Sequence, residues 1–111
     1  MKESVVISLA ALTGDGKTRA LTGKERGLAA REALRLDELD ESLASVTVEV
    51  PAYVSAISSS FFLGLFAESV RHLRTEQEFL RKYNFVATPV IQNHILNGLK
   101  NALIDRGSLT S

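Results

Sequence analysis

The strongest constraint on this chain is an alternation, in which short β-branched runs keep giving way to stretches of helical spacing. Residues 4–11, beginning Ser4-Val5-Val6-Ile7, favour a strand, and Gly14-Asp15-Gly16 breaks the run as a turn. Leu28, Ala29, Ala33, Leu36, Leu39 and Leu43 then recur every three or four residues, while Arg31, Glu32, Arg35 and Asp37 fill the other face. That spacing predicts one amphipathic helix, opened by Thr22 and Glu25 in capping-box spacing. Val46-Thr47-Val48-Glu49-Val50 alternates with period two and reads as a strand with one apolar face. Pro51 cannot donate to a ladder and closes it, and residues 52–57 read as a loop.

Ser58-Ser59-Ser60 opens a second helix whose apolar stripe runs through positions Phe61, Phe62, Leu65, Phe66, Ser69, Val70 and Leu73. Thr75 and Glu78 repeat the capping box and predict a short helix to about Tyr83. Asn84 to Thr88 reads as a brief strand. Thr88 and Pro89 then supply the N-cap and first position of a last helix, with Ile91, Ile95, Leu99, Ala102 and Leu103 on its buried face. Arg106-Gly107 is the predicted stop, and residues 108–111 read as a frayed tail. The order β-α-β-α-α-β-α joins strands through helices, so the strands run largely parallel with right-handed crossovers. The half-polar strand at 46–50 implies helices packed mainly on one face of a small sheet. The expectation is a single α/β domain over residues 1–111, large enough to bury about 65% of its unfolded surface.

Composition removes several function classes. Thirteen Lys and Arg balance thirteen Asp and Glu, without the basic excess that a nucleic-acid groove needs. With no cysteine there is no disulfide framework, cysteine nucleophile or thiolate metal site. The strongly apolar run Phe61 to Ala67 is far short of the ~20 residues of a membrane span. The early apolar run is short and needed as a strand, which argues against a secretory signal, so the expected location is the cytoplasm. No cofactor, metal or membrane partner is expected.

Three constellations invite chemistry. Ala11 to Thr18 fits a relaxed phosphate loop, in which Gly14 and Gly16 would free backbone amides, Lys17 would reach phosphate and Thr18 would bind magnesium. The helix signal at Thr22 comes four residues late for that role, so a glycine-rich connector is favoured and nucleotide or phosphate binding is the alternative reading. A hydrolase built on a serine with His72 or His94 lacks the glycines of a nucleophile elbow. The third is Ser58-Ser59-Ser60. One serine suffices as an N-cap, and three place hydroxyls where helix amides and dipole would stabilise an added phosphate.

The run VTVEVPAYVSAISSSFFLGL, from Val46 to Leu65, resembles the strand–loop–serine–helix core of STAS-like domains. These are related to sulphate-transporter and anti-sigma-factor-antagonist domains. The likeness extends to GDGKTRALTGKERG before the first helix and NFVAT before the last. It implies a bacterial regulatory domain that is not an enzyme and that binds a protein partner, a histidine-kinase-like ATPase in the antagonists. By position Ser59 matches the phosphoacceptor, with Ser58 and Ser60 as alternate registers, and Ser58 stands where the antagonists carry Asp. The expected contact surface is the serine trio with Tyr53, Ser55, Ile57 and Phe61. Self-association through Phe61, Phe62, Leu63 and Phe66 is a further expectation, because those apolar groups exceed what one side of a helix readily buries.

Overall fold

The computed structural model describes residues 3–14, 16 and 18–108. Strands β1 (Ser4–Ser8), β3 (Ser45–Glu49) and β5 (Tyr83–Val86) form one parallel sheet in the order β1-β3-β5. Two-residue strands β2 (Ala20–Leu21) and β4 (Ala56–Ile57) form a separate parallel pair. The helices are α1 (Lys24–Ala33), α2 (Leu36–Glu41), α3 (Ser59–Leu73), α4 (Glu76–Lys82) and α5 (Pro89–Ser108). The fold is α/β, and no helix among the described residues is long and apolar enough to cross a membrane.

Strand order decides where the helices lie. The sheet grows in one direction, and right-handed crossovers between successive parallel strands then place α1 to α4 on the same face, while α5, which follows the last strand, packs against α3. Val46, Val48, Tyr83 and Phe85 point into that face and are buried, with Val5 and Ile7 beside them in register. Val6, Glu49, Asn84 and Val86 point the other way and are exposed. The period-two pattern of residues 46–50 is the sequence trace of this one-sided sheet.

Helices α1 and α3 meet at two glycines. A Cβ on Gly27 would lie 2.9 Å from the Leu65 amide nitrogen and against the Phe61 carbonyl oxygen. A Cβ on Gly64 would lie 2.9 Å from the Leu28 nitrogen and against the Lys24 carbonyl. Backbone therefore packs on backbone. On the other flank of α3, Phe62 rests on Gly98 of α5, where a Cβ would come within 2.6 Å of the ring. Phe62, Phe66, Phe79, Tyr83 and Phe85 form a connected aromatic core beneath, with neighbouring centroids 5.1 to 6.1 Å apart.

Several local expectations are revised. Residues 9–13 leave the strand as a 3-10 turn, because the Ser8 hydroxyl accepts from the Ala10 amide at 3.2 Å. Gly23 rather than Thr22 caps α1, and no side chain does so. The long predicted helix breaks at Arg35, which takes a left-handed conformation at φ 55°. Leu43 lies past the break, and α1 docks through Gly27, Ala30 and Arg31, so Leu28 and Leu43, expected in the apolar stripe, are exposed. Residues 56–57 pair as β4, and α5 runs past Gly107 to Ser108. The Thr75 and Thr88 caps form as expected, accepting from Glu78 N at 3.1 Å and Ile91 N at 3.4 Å.

A buried ionic knot explains the break at Arg35. Arg31 donates to Asp40 at 2.6 Å, to Ser69 at 2.8 Å, to the Leu65 carbonyl at 3.0 Å and to the exposed Asp37 at 2.6 Å. Ser69 and Tyr83 both donate to Asp40, so each buried polar group is partnered. The chain has to turn back for α2 to bring Asp37 and Asp40 onto Arg31. Burial opposes the Arg31 charge, yet the hydrogen bonds and charges of Asp40 and Asp37 hold it more firmly protonated than usual. Burial, then the hydrogen bond and charge of Asp40, push the Tyr83 phenol well above its ordinary range.

Two outcomes test this packing. Gly27→Ala and Gly64→Ala each gain about 1 kcal/mol of helix propensity. The added methyl meets backbone that cannot rotate aside, at a cost of about 1–3 kcal/mol or more. Each variant should therefore unfold at lower urea; an unchanged or higher midpoint would show that the helices have room. Above about pH 10, the unfolded chain releases the Tyr83 proton while the folded chain keeps it. Stability should then fall by about 1.4 kcal/mol per pH unit from this group, and Tyr83→Phe should flatten the slope. Equal alkaline slopes in the two proteins would count against the buried phenol.

Candidate functional site

The serine trio is delivered by β4, which is held on both edges. On one side it pairs with β2, and the ladder is extended by Ser55 N to Arg19 O at 2.7 Å and Ser58 N to Leu21 O at 2.9 Å. On the other side the Ile57 amide donates to His94 Nδ1 of α5 at 3.1 Å. Ser58 leaves the strand still extended and caps α3, its Oγ accepting from the Phe61 amide at 3.1 Å. Ser59 Oγ accepts from Asn101 Nδ2 of α5 at 2.9 Å, and Ser60 Oγ lies 3.1 Å from Ser58 Oγ. Ser60 is exposed and the other two are half-buried. The three hydroxyls thus gather around the open first turn of a fifteen-residue helix whose dipole favours negative charge there.

The expected contact residues divide. Tyr53 is exposed at its ring, with its hydroxyl 2.7 Å from Thr13 Oγ1, and Ser55 is exposed with its hydroxyl on the Arg19 carbonyl at 3.3 Å. Ile57 and Phe61 are not surface groups, at 6% and 2% exposure. Alternation along β4 sends Ile57 inward before Ser58, and Phe61, one turn into α3, faces the core. The apolar excess expected to drive self-association is absorbed in the same way. Phe61, Phe62 and Phe66 are buried under neighbouring helices, and Leu63 is half-buried against the core.

Among its described residues the glycine loop does not have the form of a phosphate cradle. It leads into β2, and α1 begins only at Lys24. Thr18 N donates to the Thr13 carbonyl at 2.9 Å and Gly16 N to Thr13 Oγ1 at 3.3 Å, so both amides turn inward. Gly14 is left-handed at φ 58° and Gly16 sits against the Tyr53 ring. Lys17 lies outside the described residues.

The two histidines are apart. His94 is bound to the strand before the serines through Nδ1, which accepts and so carries no proton. His72 is near the far end of α3, about 20 Å along the helix from Ser59. It borders a pocket of about 280 Å³ with Arg31, Asp37, Asp40, Glu41 and Glu68. Among the described residues no group of three His, Asp or Glu side chains is placed to hold a metal ion. Sequence reasoning missed Asn101 and His94 as supports of the serine site. Their only trace was polarity on the early and late turns of α5, which periodicity reads as a solvated face.

Comparison of the chain with family models, with curated proteins and with solved structures finds no match. The site rests on its own geometry. Capping and surface exposure can be separated by substitution. Ser58→Ala should lower stability by about 1 kcal/mol through the lost cap, whereas Ser60→Ala should stay within about 0.5 kcal/mol. Thermal melts of both variants check this, and equal losses would show that Ser58 is not the cap.

Proposed function

We propose that the chain is a regulatory protein-interaction domain, without enzymatic activity of its own, that engages a partner through the start of α3. The carrying observation is the cluster of Ser58, Ser59 and Ser60 hydroxyls around one open helix turn, with Ser60 exposed and the other two half-buried. Tyr53 and Ser55 extend this surface, while Ile57 and Phe61 support it from beneath. The resemblance to anti-sigma-factor antagonists adds the partner class, a histidine-kinase-like ATPase in a bacterial cytoplasm.

Phosphorylation is the proposed switch, with Ser59 as acceptor and Ser60 or Ser58 as alternate registers. A phosphoryl group on Ser59 would carry about −1.5 to −2 charge onto the helix N-terminus, where dipole and amides favour it. It would also displace the Asn101 contact and set charge in the middle of the binding surface. Repulsion and desolvation at a docked partner then weaken the complex.

The test is co-purification of the tagged full chain from its native host, followed by intact-mass analysis. Partner-free chain should carry phosphate on Ser59, lost in Ser59→Ala, and partner-bound chain should not. A Ser59→Asp chain should release the partner, at a folding stability near that of the parent. Retention of the same partner by Ser59→Asp, Ser60→Asp and the parent alike would overturn the switch. Partner binding that ignores substitution of Tyr53, Ser55 and Ser60 would overturn the surface itself.

A further inference from the structure

The two edges of the parallel sheet are finished differently. Successive residues of a strand send their backbone groups to opposite sides. The Ser45 amide donates to the Glu3 carbonyl at 2.8 Å, so in the register Ser4↔Ser45 residues 3, 5 and 7 face β3. The amides and carbonyls of Ser4 and Val6, and the amide of Ser8, therefore face outward from β1. By the same count, the Val50 amide on the Val86 carbonyl turns Tyr83 and Phe85 outward from β5. There Gln92 Nε2 of α5 donates to the Phe85 carbonyl at 2.8 Å, so a side chain closes that edge. Among the described residues, β1 has β3 as its neighbour on one side and no strand or side chain on the other. It also lacks the devices that keep an edge from pairing. Ser4-Val5-Val6-Ile7-Ser8 holds no charge and no proline, and its register has no bulge. Val6 is 61% exposed on the bare face, and Val5 and Ile7 are only half-buried at the margin of the core.

The order of residues says what covers this edge. Reversed, the strand is Ser8-Ile7-Val6-Val5-Ser4, with serine at both ends and β-branched residues between, as in the forward direction. We propose that β1 pairs antiparallel with β1 of a second copy, about a two-fold axis through Val6, joining the two sheets into one. In that pairing Val6 meets its counterpart, Ser4 meets Ser8, and Val5 meets Ile7. The outward-facing residues 4, 6 and 8 are then the hydrogen-bonded pairs of an antiparallel ladder. Val6 exchanges both bonds with its counterpart, and the Ser8 amide donates to the Ser4 carbonyl. The axis stands perpendicular to the sheet, so both helical layers lie on the same side. The Val5–Ile7 contacts carry the core from one copy into the other, and the Val6 pair covers the exposed valine. Each is a favourable cross-strand pair, and no like charges oppose. A strand of other sequence would satisfy the backbone without this symmetry, whereas an isologous contact closes at two copies. The serine turn takes no part in it.

The test is sedimentation equilibrium of the full chain from low micromolar to near-millimolar concentration, with amide hydrogen exchange followed by NMR at both ends of that range. The mass should rise from 12.1 kDa toward twice that value. Exchange at the Val6 and Ser8 amides should slow as the dimer forms, while Val5 and Ile7, already bonded to β3, stay protected throughout. Val6→Lys, at an exposed position, sets like charges opposite each other across the axis and should weaken association roughly 10-fold. Val86→Lys, on the same face of the closed edge, should leave association unchanged. If Val6→Lys fails to fold, the concentration dependence of the Val6 amide in the parent decides. A mass of 12.1 kDa at every concentration overturns the proposal. So does a dimer that Val6→Lys leaves intact, or growth beyond two copies. Protection of the Val6 amide only when a different protein is present would give the edge to that protein and equally overturn the proposal.

Discussion

The near-contact of Gly27 and Gly64 sets the geometry of the whole helical layer. With no side chain between them, α1 and α3 approach until backbone meets backbone. That approach keeps the strands leading into the two helices close enough to pair, as β2 and β4 do. It also holds Arg31 of α1 within reach of the Leu65 carbonyl and Ser69 of α3. The ionic knot, the register of β4 and the position of the serine turn all follow from how near these helices stand.

A second constraint is the one-way growth of the sheet. Because β1, β3 and β5 are added in order, every right-handed crossover lands on the same side. One face then buries the aromatic core, and the other carries Ser4, Val6, Ser8, Glu49, Asn84 and Val86 in solvent. Parallel sheets are commonly covered on both faces. Here three short strands supply little enough surface that a mostly polar face, with Val6 and Val86 exposed on it, stays bare.

The Ser58–Ser60 turn combines a structural duty with an exposed one. Ser58 is engaged in capping, and Asn101 steadies Ser59 from α5. His94 secures the strand just before them. The turn is held from β2, α3 and α5 at once, which would leave little ordering to occur in the binding proposed for it.

By itself the sequence determined the α/β class, the one-sided sheet, a serine cap at the mouth of α3, and the Thr75 and Thr88 caps. These depend on side chains a few residues apart, although the same capping spacing at Thr22 and Glu25 formed no side-chain cap on α1. Part of the serine site was legible for the same reason, since a hydroxyl trio before an apolar run has to stand at a helix mouth. Tertiary structure decided the rest. The helix predicted across residues 28–43 breaks at Arg35, because Arg31 is bound by groups nine, thirty-eight and thirty-four residues away. Strands β2 and β4 exist only as each other's partner, at two residues each too short for any periodicity. Ile57 and Phe61 could be placed inside rather than on the contact surface only once α1 and α5 were in position, because burial belongs to the neighbours a residue acquires, not to the residue.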